Sequence, residues 1–135
     1  MSQNSPVRFT HAIPCLSYAN AHAGIHWLVS AFGAEARHIY DGPDSTVSHA
    51  EVWFGDACVM IGSLKENSWP PHRGGESAVY VVVASAVEVD QLYERAVQHG
   101  APIVIALRDT DYGSHDFGVL DPEGNFWGFG TYAPV

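Results

Sequence analysis

Two short passages, Phe32-Gly33-Ala34 and His99-Gly100-Ala101, stand 67 positions apart and do the same work. Each ends a helical pattern on a glycine and opens a strand pattern. Ahead of Gly33, the residues Ile25, Leu28, Val29 and Phe32 recur at i, i+3, i+4 and i+7, one apolar helical stripe with Asn20 placed to cap it. Ahead of Gly100, Val89, Leu92, Tyr93 and Ala96 make a second stripe behind a capping box, Ser85 as N-cap and Glu88 at the third helical position. One strand pattern precedes each helix and three follow it, so both halves read β-α-β-β-β. A single helix covers only one face of such a half, and the uncovered faces find shelter when the halves turn towards each other. The expected fold class is therefore α+β, with two βαβββ modules forming a curved mixed sheet around a central cavity. Residues 7–64 make the first module and 78–132 the second. Residues 65–77, KENSWPPHRGGES, form the linker within one domain, 1–135.

Composition limits the partners. The chain has 135 residues, 47% of them hydrophobic, enough for one core, and carries a formal net charge of −9. The six Lys and Arg are scattered singly, so neither nucleic acid nor an anionic membrane meets a basic patch. The beginning, MSQNSPVRFT, has no apolar signal-peptide core, and the longest apolar run, 78–84, is too short to span a bilayer. Cys15 and Cys58 lack CxxC spacing and read as two buried thiols of a cytoplasmic protein.

The stretch DYGSHDFGVLDPEGNFWGFGTY, residues 111–132, reads as two strands about a tight turn, with Pro122 and Gly124 supplying the turn. Gly118, Gly128 and Gly130 empty one face of this hairpin, which suggests a cavity wall. Trp127 and Phe129 fall to the core, whereas Phe126 and Gly128 fall to the concave side. In VSHAEVWF, parity puts Ala50, Val52 and Phe54 under the helix and His49, Glu51 and Trp53 towards the cavity. Tyr80, Tyr112 and His115 add ring and hydrogen-bonding groups to the expected ligand-binding set. Trp69, in the linker, is expected as a lid or a subunit contact, and Trp27, opposite its helix's stripe, as a partner surface. His22 and His26 share a helix face off the apolar stripe and read as solvated, like His38, His72 and His99.

The order βαβββ twice, the Phe-Gly-Ala helix exit and above all YGSHDFGVLDPEGNFWGFGTY resemble the vicinal oxygen chelate superfamily, which holds glyoxalase I, bleomycin-resistance proteins, fosfomycin-resistance enzymes and extradiol dioxygenases. Its metal-dependent members hold a divalent ion through four His or Glu side chains, from the first and last strand of each module. The resemblance places those positions at Ile13, Met60 (or Ile61), Tyr80 and Gly128, and none is a usual ligand. No metal cofactor is therefore expected at the family positions. A displaced two-histidine-one-carboxylate site around His11, His49 and Glu51 is the alternative.

Two readings of function follow. One is a metal-free, small-molecule-binding protein like the bleomycin-resistance proteins, whose aromatic cavity sequesters a flat or cationic compound. The other is a metal-dependent lyase or dioxygenase of the glyoxalase type, with His49 or Glu51 as candidate catalytic base. No G-x-S-x-G elbow supports a nucleophilic triad. The resemblance further implies a homodimer.

Overall fold

In a computed structural model, which describes residues 6–65 and 75–134, the sequence repeat becomes two modules of one plan. The first runs β1 (Cys15–Tyr18), α1 (Ala21–Phe32), β2 (Glu35–Asp41), β3 (Val47–Phe54) and β4 (Ala57–Ser63), in sheet order β1-β4-β3-β2. The second runs β5 (Ala78–Val82), α2 (Ala86–Gln98), β6 (Ile103–Asp109), β7 (His115–Leu120) and β8 (Phe126–Gly130), in order β5-β8-β7-β6. In both, the strand before the helix pairs parallel to the last strand, and the remaining pairs are antiparallel. The fold is α+β as expected, and its mixed sheet comes as two four-stranded sheets that do not close on each other. Among the described residues β1 and β5 each pair on one side only, so a seam separates the modules.

The helices form where the stripes and caps place them. Asn20 accepts from the Ala23 amide at 3.1 Å, and Gly33 ends α1 in the left-handed region at φ 69°. At that φ a residue with a Cβ is strained, and the Arg95 guanidinium, 2.9 Å from where a Cβ would stand, would have to move aside. On α2, the Ser85 hydroxyl accepts from the Glu88 amide and donates to its carboxylate at 2.7 Å. The helix-side faces of both sheets fuse into one core. Phe32 stacks on Phe129 at 4.3 Å, and Phe54 lies against Trp127 at 5.7 Å. Burying a ring such as Phe129 contributes about 2–3 kcal/mol. Arg95 Nε donates to the Ser30 carbonyl at 3.2 Å, tying α2 to α1.

The Asp121-Pro122-Glu123-Gly124-Asn125 turn clasps the modules together. Asp121, 4% exposed, accepts at Oδ2 from the Tyr18 hydroxyl (2.6 Å), the Asn125 side-chain amide (3.0 Å) and the Trp127 indole (3.1 Å). Its Oδ1 accepts from the Glu123 and Asn125 amides. Glu123 reaches across to the entry of α1 and accepts from the Ala19 and Asn20 amides at 2.6 and 2.8 Å, satisfying donors the helix leaves open. Burial, and then the Asp121 carboxylate, push the Tyr18 phenol above its ordinary value, so it remains the donor. The motif most specific to the fold thus acts as its fastening.

Three local expectations are corrected. The strand expected ahead of the first helix, in a module that opens at Val7, is formed only at Cys15–Tyr18. Pro14 has no N–H for the ladder, and pairing begins at its carbonyl, which accepts from the Met60 amide at 2.9 Å. Cys15 is exposed and Cys58 half-buried, both free, because both fall on the sheet face away from the helix. Trp27 does not stand clear of its helix: half-buried, it packs edge-on to Phe32 at 5.3 Å at the margin of the core. The expected lid residue Trp69, and His72, lie outside the described residues.

Candidate functional site

A cavity of ≈ 450 Å³ opens along the seam. Three pieces of chain build it: His11–Pro14 ahead of β1, the β3–β4 hairpin from Trp53 to Val59, and β5 from Val79 to Val82. Because β5 pairs only with β8, side chains from both of its faces reach the cavity edge, Val79 and Val81 from one and Tyr80 and Val82 from the other. The lining is largely apolar, with His11, Asp56 and the Cys58 thiol as polar exceptions, the pattern of a small-molecule pocket.

Trp53 is the fixed element of this wall. Its indole N–H donates to Glu51 Oε1 at 2.9 Å, and the Arg37 guanidinium lies over the ring, 4.8 Å from the centroid. Arg37 is held in turn by Glu35 at 2.8 Å. The ladder sets the cluster: Glu35 stands across from Trp53 and Arg37 across from Glu51. Cys58, opposite Trp53, has its thiol pushed up by burial and by Glu51, with Arg37 pulling the other way, so it is a wall atom rather than an activated nucleophile. Sequence reading missed Arg37. Its signal was the i, i+2 spacing from Glu35 on a strand.

Parity places His49 and Glu51 on the open face as expected, yet they serve different places. Glu51 is committed to Trp53, whereas His49 stacks on Tyr40 and borders a separate hollow of ≈ 230 Å³ with Cys15, Ser17 and Met60. His11 lines the seam cavity instead. The displaced His11/His49/Glu51 centre does not form: among the described residues no group of three His, Cys, Asp or Glu side chains is placed to hold a metal ion.

The second module's open face is filled from within. Phe126 shares a face with Gly128 and Gly130, and its ring folds over the glycines. A Cβ at Gly118 would meet it at 2.5 Å, and one at Gly128 would meet it at 3.1 Å and Tyr80 at 3.2 Å. A Cβ at Gly130 would strike the Tyr80 hydroxyl and stand 2.5 Å from the Asp116 Cβ. The face that reads as emptied for a ligand is occupied by the protein's own rings. Tyr80 joins a hydrogen-bonded chain there: the Tyr132 amide donates to its oxygen (3.2 Å), Tyr80 and Ser114 share a bond of 3.0 Å, and Ser114 donates to buried Asp116 (3.1 Å). Because the Ser114 proton goes to Asp116, Tyr80 is the donor to Ser114. Arg108 Nε closes the chain on Asp116 at 2.9 Å.

His115 turns the other way, towards the helix. Asp90 of α2 holds its Nε2 at 2.7 Å and Asp109 its Nδ1 at 2.8 Å, so it pins α2 to the β6–β7 pair. The hydrogen bond to Asp90, followed by that to Asp109, raises its pKa. It clamps helix to sheet. Tyr112, 61% exposed, stands outside the seam. His22, expected in solvent, is 3.1 Å from Asp41.

The family's four metal positions do not fit an ion. Ile13 and Tyr80 do line one cavity. Ile13 has no donor atom, however, and the Tyr80 hydroxyl is spent on Ser114. Met60 lies in the other hollow, and a carboxylate at Gly128 would have to push aside the Phe126 and Tyr80 rings, 3.1 and 3.2 Å from its Cβ. Cys15, rather than Ile13, stands directly across from Met60, whereas Tyr80 is directly across from Gly128, so the two modules differ in register at this point.

Comparison with known proteins agrees with this architecture. Residues 8–129 match the model of the Glyoxalase/Bleomycin resistance protein/Dioxygenase superfamily. An uncharacterized protein of Mycobacterium bovis is 29% identical over 125 residues, covering 87% of this chain and 80% of that protein. An uncharacterized protein of Mycobacterium tuberculosis is equally similar, with 71% of its length covered. Among solved structures, TioX from Micromonospora sp. ML1 superposes with a TM-score of 0.76 at 28% identity, covering 93% of this chain and 100% of that one. Lactoylglutathione lyase from Agrobacterium tumefaciens superposes at 0.69 with 18% identity, covering 91% and 94%, a likeness of fold alone.

Proposed function

This chain belongs to the glyoxalase/bleomycin resistance protein/dioxygenase superfamily, and we propose that it is a metal-free member that binds and sequesters a flat, largely apolar compound in the seam cavity. The supporting observation is Trp53, an indole locked in the cavity wall by Glu51 and Arg37. A ring held before binding loses little freedom when a planar ligand stacks on it, and aliphatic Ile13, Val79 and Val81 supply the rest of the contact. Non-ligating side chains at Ile13, Met60, Tyr80 and Gly128 support action without a resident ion. Sequestering an aromatic antibiotic is the family role that such a cavity suits. A homodimer in the cytoplasm goes with this reading. Val7 and Phe9, 76% and 92% exposed, offer apolar surface to a second copy, and no described helix is long and apolar enough to cross a membrane.

The test is a thermal-shift and fluorescence titration against planar aromatic antibiotics and glutathione thioethers, with metal analysis of the purified protein. Ligand at about 100 times its Kd stabilises by about 2.7 kcal/mol, a shift of several degrees in a domain of this size. At least one planar compound should produce that shift in the parent protein and in His49→Ala, and lose it in Trp53→Ala. Silence across the panel, an unchanged response in Trp53→Ala, or a stoichiometric metal lost on His49→Ala would each overturn the reading.

A further inference from the structure

Beside the seam lies a second hollow, of ≈ 400 Å³, lined by Tyr80, Tyr112 and Tyr132. We infer that these three tyrosines form a cage for a quaternary or multiply methylated ammonium group, a site separate from the cavity of the proposed function.

The rings are arranged before any ligand arrives. Tyr112 and Tyr132 meet edge to face, centroids 5.4 Å apart at 89°, and both rings border the hollow. Tyr80 makes the third wall. Its hydroxyl is anchored through Ser114 to Asp116, and the Tyr132 amide donates to that same oxygen, so two walls share one tether. Aromatic faces attract a cation through the ring quadrupole within about 6 Å of the centroid. Such faces cannot replace the water shell of a small, strongly hydrated ion. Alkylated ammonium, whose charge is spread over methyl groups that water holds weakly, is the class that fits.

The surrounding charge favours a cation. The loop carries Asp111 beside Tyr112, Asp109 stands at the end of β6, and the whole chain has a net charge of −9. Arg108, which lies against the Tyr112 hydroxyl, has its charge paired with Asp116 at 2.9 Å. His115, four positions after Asp111, is bracketed by Asp90 and Asp109. Tyr80 borders both hollows, so a compound with a planar body and a methylated ammonium end can engage seam and cage together.

Choline and its neutral isostere 3,3-dimethylbutan-1-ol separate cation recognition from simple apolar contact. Each is titrated while the tyrosine ring signals and the ligand methyl signals are followed by NMR. Choline should shift both sets saturably, with the neutral isostere about tenfold weaker. Tyr112→Leu and Tyr132→Leu should each weaken choline about tenfold, while Tyr112→Phe, which keeps the ring, stays within about threefold. Trp53→Ala, which alters only the seam, should leave choline binding unchanged, so the cage stands or falls apart from the seam reading. Equal binding of the neutral isostere, parent-like binding in both leucine variants, or no response to choline up to about 100 mM overturns the cage. The isostere comparison uses the parent protein and survives misfolding of any variant.

Discussion

The two modules share a chain order and a sheet order, yet their open faces are opposites. The first presents polar side chains: His49, Glu51, and Trp53 beneath Arg37. The second is sealed by Phe126 and Tyr80 lying on Gly118, Gly128 and Gly130. Their hairpin turns differ as well. Gly55-Asp56 in the first is a bare two-residue link, whereas Asp121–Asn125 in the second fastens one module to the other. The two copies of one unit have thus diverged in what they supply. The first half gives the pocket wall, and the second gives closure and the clasp.

Four experiments probe that division. The largest effect belongs to the clasp. Asp121→Ala leaves the Tyr18 hydroxyl, the Trp127 indole and the Asn125 amide without an acceptor in the interior, so the unfolding free energy should fall by about 3 kcal/mol or more. Asp56→Ala, at the corresponding turn, should change it by less than about 0.5 kcal/mol. Denaturant melts of the pair decide it, and equal losses would refute the division of the turns.

Next comes the metal position. Gly128→Glu forces a side chain under Phe126 and should cost about 1–3 kcal/mol, with much of the loss recovered when Phe126→Ala is added. Met60→Glu, on the open first module, should cost under about 1 kcal/mol. A double-mutant cycle with no coupling between positions 126 and 128 would show that the ring does not fill the recess.

Smaller is the contribution of His115. Its pKa lies above the ordinary 6.5, so its stabilising pairs are complete below that value and fade as pH rises through the folded-state value. His115→Asn should therefore lose more stability at about pH 5.5 than at about pH 8.5 when both proteins are melted in parallel. A gap that widens with pH would contradict the two-carboxylate clamp.

The smallest effect on stability is expected at Trp53, which is only half-buried. Trp53→Phe removes the indole donor to Glu51 and should cost about 1 kcal/mol, while weakening planar ligands more than it weakens the fold. Ligand binding unchanged by this substitution would move the pocket wall elsewhere.

Much of the architecture was legible because it is local and written twice. The stripes through Leu28 and Val89, the caps at Asn20 and Ser85 and the glycine exits define both helices, and parity puts Val52 inward and Glu51 outward. The hollows were less legible for physical reasons. Period two places Phe126 and Gly128 on one face, but whether the ring stands off the sheet or lies on it depends on packing space. The partner of His115, Asp90, stands on α2, 25 positions away, and no local spacing signals it. The seam cavity needs His11, Trp53 and Tyr80 together, three separate pieces of chain brought to one place by tertiary packing.

The Tyr18–Asp121 bond has a consequence for how the molecule is made. It joins positions 103 apart, so the first module is translated in full before its clasp exists. Until Asp121 and Glu123 emerge, the Tyr18 hydroxyl and the amides at the entry of α1 have only water for partners. The growing chain therefore holds an unfinished half through most of its synthesis, and a nonsense codon ahead of position 121 yields a first module that lacks its fastening.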